Sequence, residues 1–244
     1  MEDPGLALVT GGAHRLGRAI ALSLARLGYS ILLHYWSSQE KAKLTAGEIM
    51  SLGVGVSLVQ ADLKSETGIN QLLSALDSQL SIPGKGLRIL VNSASVMPKL
   101  SFQSTTAADW DAILGLNLRA PFLLAKQVVE RMKGGGMIIN ISDSGAQKLW
   151  TGFPAYVVSK SALETLTRLM AKNYAPHIRV NAIAPGLVLP KDGEPSEDWD
   201  ILVKRSPLRR PVTPDEIGSC LEFLIRNEAV TGQTIRVDGG FSLT

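Results

Sequence analysis

Residues 6–28 read LALVTGGAHRLGRAIALSLARLG. A short apolar run, a glycine-bearing turn and an amphipathic run follow one another without a break. LALVT has the length of a buried strand. In the segment after the turn, Leu16, Ile20, Leu24 and Leu27 share one helical face, and Gly28 supplies a C-terminal stop. A strand that passes through a tight turn straight into a helix is the opening unit of an α/β sheet.

The alternation continues outward from there. Further strand-length runs are SILLHY, VSLVQA, RILVNSA, GMIINIS, IRVNAIA and TIRVDGG. Between them lie helical segments: SSQEKAKLTAGEIMSLG, SETGINQLLSALDSQL, ADWDAILGLNLRAPFLLAKQVVERM, FPAYVVSKSALETLTRLMAKNYA and TPDEIGSCLEFLI. Strand and helix in strict alternation predict one α/β domain over residues 1–244. Its sheet is Rossmann-like, doubly wound and parallel, with about seven strands and helices on both faces. Nearly continuous Val, Ile and Leu predict strands buried on both sides. The long fourth helix is expected to bend near Pro121.

The 244 residues are 45% hydrophobic and 19% charged, with a formal net charge of +3. Basic residues are spread out, and the densest group, VKRSPLRRP, reads as a solvated loop. Neither nucleic acid nor membrane is indicated as a partner. The one cysteine, Cys220, excludes an intramolecular disulfide and reads as a helix core residue. No signal-peptide pattern opens the chain, so a cytoplasmic location is expected. No His/Cys/acid cluster suggests a metal, and His177 reads as a surface turn residue.

Ligands of such sheets sit at the carboxyl ends of the strands. After the first strand stand Gly11, His14, Arg15, Leu16 and Gly17. Glycines let backbone N–H groups approach a pyrophosphate, and the helix N-terminus adds a favourable dipole. The spacing departs from G-x-G-x-x-G, so its weight comes from its place between strand and helix. The second strand ends in His34 and Tyr35, followed by Trp36, Ser37 and Ser38. A site for NAD usually carries Asp or Glu there, for the ribose 2′-hydroxyl. None is present, and Arg15 can pair with a 2′-phosphate. The expected cofactor is NADP(H). Asp62 and Leu63 follow the third strand, with Asp62 placed to accept from the adenine amino group. Asn92, Ala94 and Ser95, at the end of the fourth, are expected to line the cofactor.

FPAYVVSKSAL places Tyr156 one helical turn before Lys160, on the same face. A positive charge beside a phenol favours phenolate and lowers its pKa. Such a phenol can give a proton to a developing alkoxide on a small-molecule substrate, or take one from an alcohol.

With TGGAHRLG, ADL, NSAS, NLRAPF, YVVSK, IRVNAIAPG and VTGQTIRVDGG in this order, the chain resembles the short-chain dehydrogenase/reductase family along nearly its whole length. The resemblance implies a nicotinamide cofactor and hydride transfer. It implies that Tyr156 is the acid/base, that Lys160 holds the nicotinamide ribose and tunes Tyr156, and that Asn117 positions a water of the proton relay. Pro185 and Gly186 would flank the nicotinamide, with Leu187 beside the substrate. Pairing through the helices of Asn117 and Tyr156, into a homotetramer or homodimer, is also implied.

Most members of that family carry a serine thirteen residues before the tyrosine. Here that position is Asp143, flanked by Ser142 and Ser144, and a local bulge would bring a serine to the site instead. A carboxyl group can protonate a ring nitrogen, where a hydroxyl mainly orients a carbonyl, and burial beside the nicotinamide should raise its pKa. Asp143, Arg15, LHY and DGGFSLT resemble the pteridine reductases and the dihydromonapterin/dihydrofolate reductases. That resemblance implies reduction of a pterin C=N bond by NADPH, with Ser95 touching pterin and cofactor. Met97 stands where that subgroup stacks a phenylalanine, and Ser37 where it often has an arginine. Methionine covers a ring less specifically than an aromatic. Two alternatives stay open. One is a carbonyl or 3-oxoacyl-thioester reductase, whose anionic carrier would meet the arginines of a substrate lid at 186–211. The other is a non-catalytic NADPH-binding protein.

Overall fold

The structure, a computed structural model, describes residues 4–190 and 196–244. Seven strands form one sheet: β1 (Leu6–Thr10), β2 (Ser30–Tyr35), β3 (Val56–Gln60), β4 (Leu87–Asn92), β5 (Gly136–Ile141), β6 (Ile178–Pro185) and β7 (Thr234–Val237). Their order is β3-β2-β1-β4-β5-β6-β7, and every neighbouring pair is parallel. The chain steps outward from β1 to β3, then returns to β4 on the other side of β1. At that reversal the connections after β1 and β4 leave in opposite directions and open a crevice.

Helices α1 (Arg15–Arg26), α2 (Gln39–Ser51) and α8 (Pro214–Arg226) cover one face, through Ile20, Leu24, Ile49, Leu221 and Leu224. On the other face α3 (Glu66–Leu80), α5 (Ala120–Val129) and α6 (Pro154–Tyr174) bury Leu72, Leu76, Leu124, Val128 and Met170. The helix ends follow local chemistry. The Ser65 hydroxyl accepts from Gly68 N at the start of α3. Thr213 and Glu216 form a reciprocal capping box on α8, with Pro214 in the first turn. Gly28 ends α1 at φ +92°.

Two expectations need correction. The edge strands are not buried on both sides: Leu58 of β3 is exposed, and β7 has no fully buried residue, because an edge strand meets a neighbour on one side only. The long fourth helix is interrupted, but ahead of Pro121 rather than at it. α4 (Ala107–Leu114) passes into a π-helical turn, Gly115–Arg119, before α5 begins. Pro121 lies in the first turn of α5, where its missing N–H costs little. The wide turn carries Asn117 into the interior. Ala107–Val129, taken through the π-helical turn, is long and apolar enough to cross a membrane by length and composition alone. In this fold it lays Leu124, Ala125 and Val128 against the sheet.

Candidate active site

A cleft of about 600 Å³ opens over the carboxyl ends of the strands. Gly11, His14, Arg15, Leu16 and Gly17 line it from the first turn, and His34, Tyr35, Ser37 and Ser38 from the second strand end. Asp62, Leu63, Ala94, Ser95 and Met97 follow from the next two, and Asp143, Tyr156, Lys160, Pro185, Gly186 and Leu187 close the far end. Part of the expected lid, residues 191–195, lies outside the described residues. Its helix α7 (Glu197–Arg205) sends Trp199 into the cleft.

The glycine turn is packed so tightly that side chains are excluded. A Cβ on Gly11, at φ +66°, would stand 2.8 Å from Ala94 Cα, and one on Gly17 would stand 2.0 Å from the Gly11 carbonyl oxygen. His34 underpins this turn. It is 2% exposed; its Nδ1 accepts from Gly11 N at 3.1 Å, and its Nε2 lies 2.9 Å from Ala61 O. That pairing requires the Nε2–H tautomer. Burial lowers its pKa to about 4, so it stays neutral. His34 is thus a strut joining the ends of β1, β2 and β3, and both its ring nitrogens are spent on protein. Arg15, at φ +54°, donates to Pro190 O at 2.9 Å and Leu189 O at 3.0 Å. It ties the glycine turn to the first residues of the expected lid.

At the other end of the cleft Asp143 has an extended backbone and caps a short 3₁₀ turn, Ser144–Gln147. Its Oδ1 accepts from Gly145 N at 2.6 Å. Its Oδ2 accepts from the Tyr156 hydroxyl, also at 2.6 Å. Ser142 and Ser144 also border the cleft, but Ser142 spends its hydroxyl on Glu164 Oε1 at 3.0 Å. No bulge intervenes, so the aspartate faces the tyrosine. Lys160 is fully buried; its Nζ donates to Ile141 O at 2.7 Å and lies 5.7 Å from the centroid of the Tyr156 ring.

These contacts set the proton affinities. Burial raises the Asp143 pKa, as expected, against the opposing pull of Tyr156, Gly145 and Lys160. Burial also lowers Lys160 to about 8, opposed by the Asp143 charge. Tyr156 runs against expectation. Burial first, and then the Asp143 carboxylate, push it well above its ordinary value. A hydrogen-bonded carboxylate at 2.6 Å outweighs an ammonium that spends its nearest contact on a backbone carbonyl. The phenol therefore keeps its proton, and Asp143 protonates more readily than an exposed carboxylate.

Two expected residues lie beneath the cleft rather than on it. Asn92 donates to Asn140 Oδ1 at 2.9 Å, and Asn140 donates to Thr167 Oγ1 at 2.8 Å. That is a buried cross-strand link from β4 through β5 to α6. Asn117 fills its side chain with protein partners. Oδ1 accepts from Ser95 Oγ at 3.1 Å and Val96 N at 3.0 Å, and Nδ2 donates to Val96 O at 3.0 Å and Ser159 Oγ at 3.1 Å. It braces the β4 loop against α6 and has no side-chain valence left for a water. Trp36, Trp150, Trp199 and Phe241 also line the cleft, and sequence reasoning assigned none of them a role there. Each had a positional signal: Trp36 follows the second strand, Trp150 stands between Asp143 and Tyr156, Trp199 lies within the expected lid, and Phe241 belongs to the closing DGGFSLT.

Comparison with known proteins places these features in context. The family described as enoyl-(acyl carrier protein) reductase matches residues 11–242. An NADPH-dependent aldehyde reductase-like chloroplastic protein of Arabidopsis thaliana is 32% identical, over 97% of this chain and 93% of its own length. The 3-oxoacyl-[acyl-carrier-protein] reductase FabG of Staphylococcus aureus is 31% identical, over 96% of each chain. The crystal structure of FolM alternative dihydrofolate reductase 1 from Brucella canis, complexed with NADP, superposes with a TM-score of 0.90 at 34% identity, covering 100% of this chain and 96% of that one.

Proposed function

The chain belongs to the short-chain dehydrogenase/reductase family, and we propose that within it the protein is an NADPH-dependent reductase of a pterin-like C=N bond. The hydrogen bond from Tyr156 to Asp143 inside the cleft carries this reading. A C=N bond that receives a hydride at carbon needs a proton at nitrogen. Tyr156 holds one on its hydroxyl, and Asp143 can accept one and pass it on. A serine in place of Asp143 would orient a carbonyl but could not act as an acid. The Brucella canis protein, described as an alternative dihydrofolate reductase, supports this subgroup.

The residues present fit NADPH, which when bound supplies the hydride. The Gly11–Gly17 contact leaves no room for side chains, so backbone can approach a pyrophosphate. Among the described residues, His14 Nδ1 is buried without a hydrogen-bond partner at the N-terminus of α1. The end of β2 offers no carboxylate to repel a 2′-phosphate, and Arg15 would exchange the carbonyls of Leu189 and Pro190 for it. Lys160, held over Ile141 O, is placed against the ribose.

The test is NADPH oxidation with dihydrobiopterin, dihydromonapterin and dihydrofolate. Turnover of at least one is expected, with kcat/KM at least ~10-fold higher for NADPH than for NADH. Inactivity toward all three, with good turnover of simple ketones, rejects the pterin reading; equal efficiency with NADH rejects the cofactor preference.

A second reading, a 3-oxoacyl-thioester reductase, is favoured by the Staphylococcus aureus relative and by exposed Arg209 after α7. Acetoacetyl-thioester reduction that is lost on Arg209→Glu would select it. We further infer that copies of the chain pair through α4, α5 and α6, which expose Trp110, Phe122, Val158 and Leu169.

A further inference from the structure

We propose that the indole of Trp150 is the wall on which the substrate's ring lies, and that it selects flat conjugated substrates over extended acyl chains. This rests on the reading of Asp143 and Tyr156 as the proton-handling pair. Trp150 lies on the segment between the 3₁₀ turn and α6, partly exposed and facing the cleft. Its six-membered ring sits directly on Gly145, where a Cβ would come within 2.3 Å of the indole Cη2. Gly145 N is also the donor that fixes Asp143 Oδ1. One glycine therefore holds the carboxylate with its N–H and seats the indole on its bare Cα.

Two further rings brace the indole. The Phe241 ring lies 6.1 Å from the indole at 55°, and the Phe153 ring lies 6.1 Å away at 63°, edge-on. Phe241 is itself buried. The Lys148 ammonium stands 3.9 Å from its ring centroid and donates to its carbonyl oxygen at 2.8 Å. An aromatic side chain fixed in this way can stack on a conjugated ring with little ordering cost. An aliphatic acyl chain has no π face and gains much less from it. Met97, which lines the same cleft, offers no rigid face. The aromatic surface that Met97 lacks is thus supplied by Trp150, from the opposite side of Asp143 in the sequence.

The experiment compares Trp150→Ala and Trp150→Phe with the unaltered protein, each loaded with NADP⁺ or NADPH. Calorimetry gives the Kd of oxidised biopterin; steady-state kinetics give KM for a bicyclic aromatic ketone and for an acetoacetyl thioester. NADPH Kd reports on the integrity of the fold. Trp150→Ala is expected to weaken biopterin and the aromatic ketone ~10- to 100-fold. The thioester should lose at least ~10-fold less, NADPH Kd should be unmoved, and Trp150→Phe should recover most of the loss. Unchanged binding of both flat probes, or equal losses for flat and aliphatic substrates, overturns the wall. If pterins are not reduced yet the aromatic ketone still depends on Trp150, the wall stands and the pterin reading falls.

Discussion

The carboxylate of Asp143 accepts from Gly145 N and from the Tyr156 hydroxyl, and its charge is what holds Lys160 up against burial. These three groups titrate as a coupled set. Below about pH 8 Lys160 is cationic, and the proton on Tyr156 is secure. Removing the charge at position 143 removes the influence that raises Lys160, so its pKa falls further. Asp143→Asn should therefore move the alkaline limb of kcat/KM to lower pH and lower kcat by ~10²–10⁴-fold, the usual worth of an acid–base group. Tyr156→Phe should cause a loss of similar size. A pH profile of Asp143→Asn with an unshifted limb and full rate would show that the carboxylate is not part of the proton path.

At the level of elements, the end of β2 matters through His34. Replacing it with Phe removes the partners of part-buried Gly11 N and of buried Ala61 O, at a cost of about 1–3 kcal/mol for the buried carbonyl and less for the N–H at the cleft. The expected result is a lower melting temperature together with a raised Kd for NADPH, because the glycine turn loses its strut. The pH dependence has a definite sign. With the folded pKa at about 4, below the ordinary 6.5, the unfolded chain binds more protons across that window. The stability due to His34 is thus present above about pH 6.5 and lost as pH falls through about 4. His34→Phe should lack that acid-sensitive component. Thermal melts of both proteins across this range, if parallel, would rule out the strut.

For the whole molecule, the proposed pairing through the outer faces of α4, α5 and α6 can be tested directly. Trp110, Phe122, Val158 and Leu169 are exposed apolar side chains on these helices, and burying them against a second copy would be favourable. Light scattering should give a multiple of the 26.1 kDa chain mass, and Phe122→Glu with Val158→Glu should reduce it to one chain. A monomeric unaltered protein at micromolar concentration would overturn the pairing.

The alternation of strand and helix, the tight turn after β1, and the i, i+4 pair of Tyr156 and Lys160 were all legible in the linear chain. Each depends on periodicity or on neighbours within a turn or two, and such local preferences survive being read one residue at a time. The caps at Ser65 and Thr213 and the stop at Gly28 are local in the same sense. The uses of the polar side chains were not legible. Whether Asn92 faces the cleft or Asn140, whether His34 meets a ligand or Gly11, and whether Arg15 points outward or across to Leu189 are settled by partners 23 to 174 residues away. The phenol's proton affinity is the clearest case. The spacing to Lys160 argued for a lowered pKa, but burial and the facing carboxylate reversed it, and both arise only once the chain has closed around the cleft.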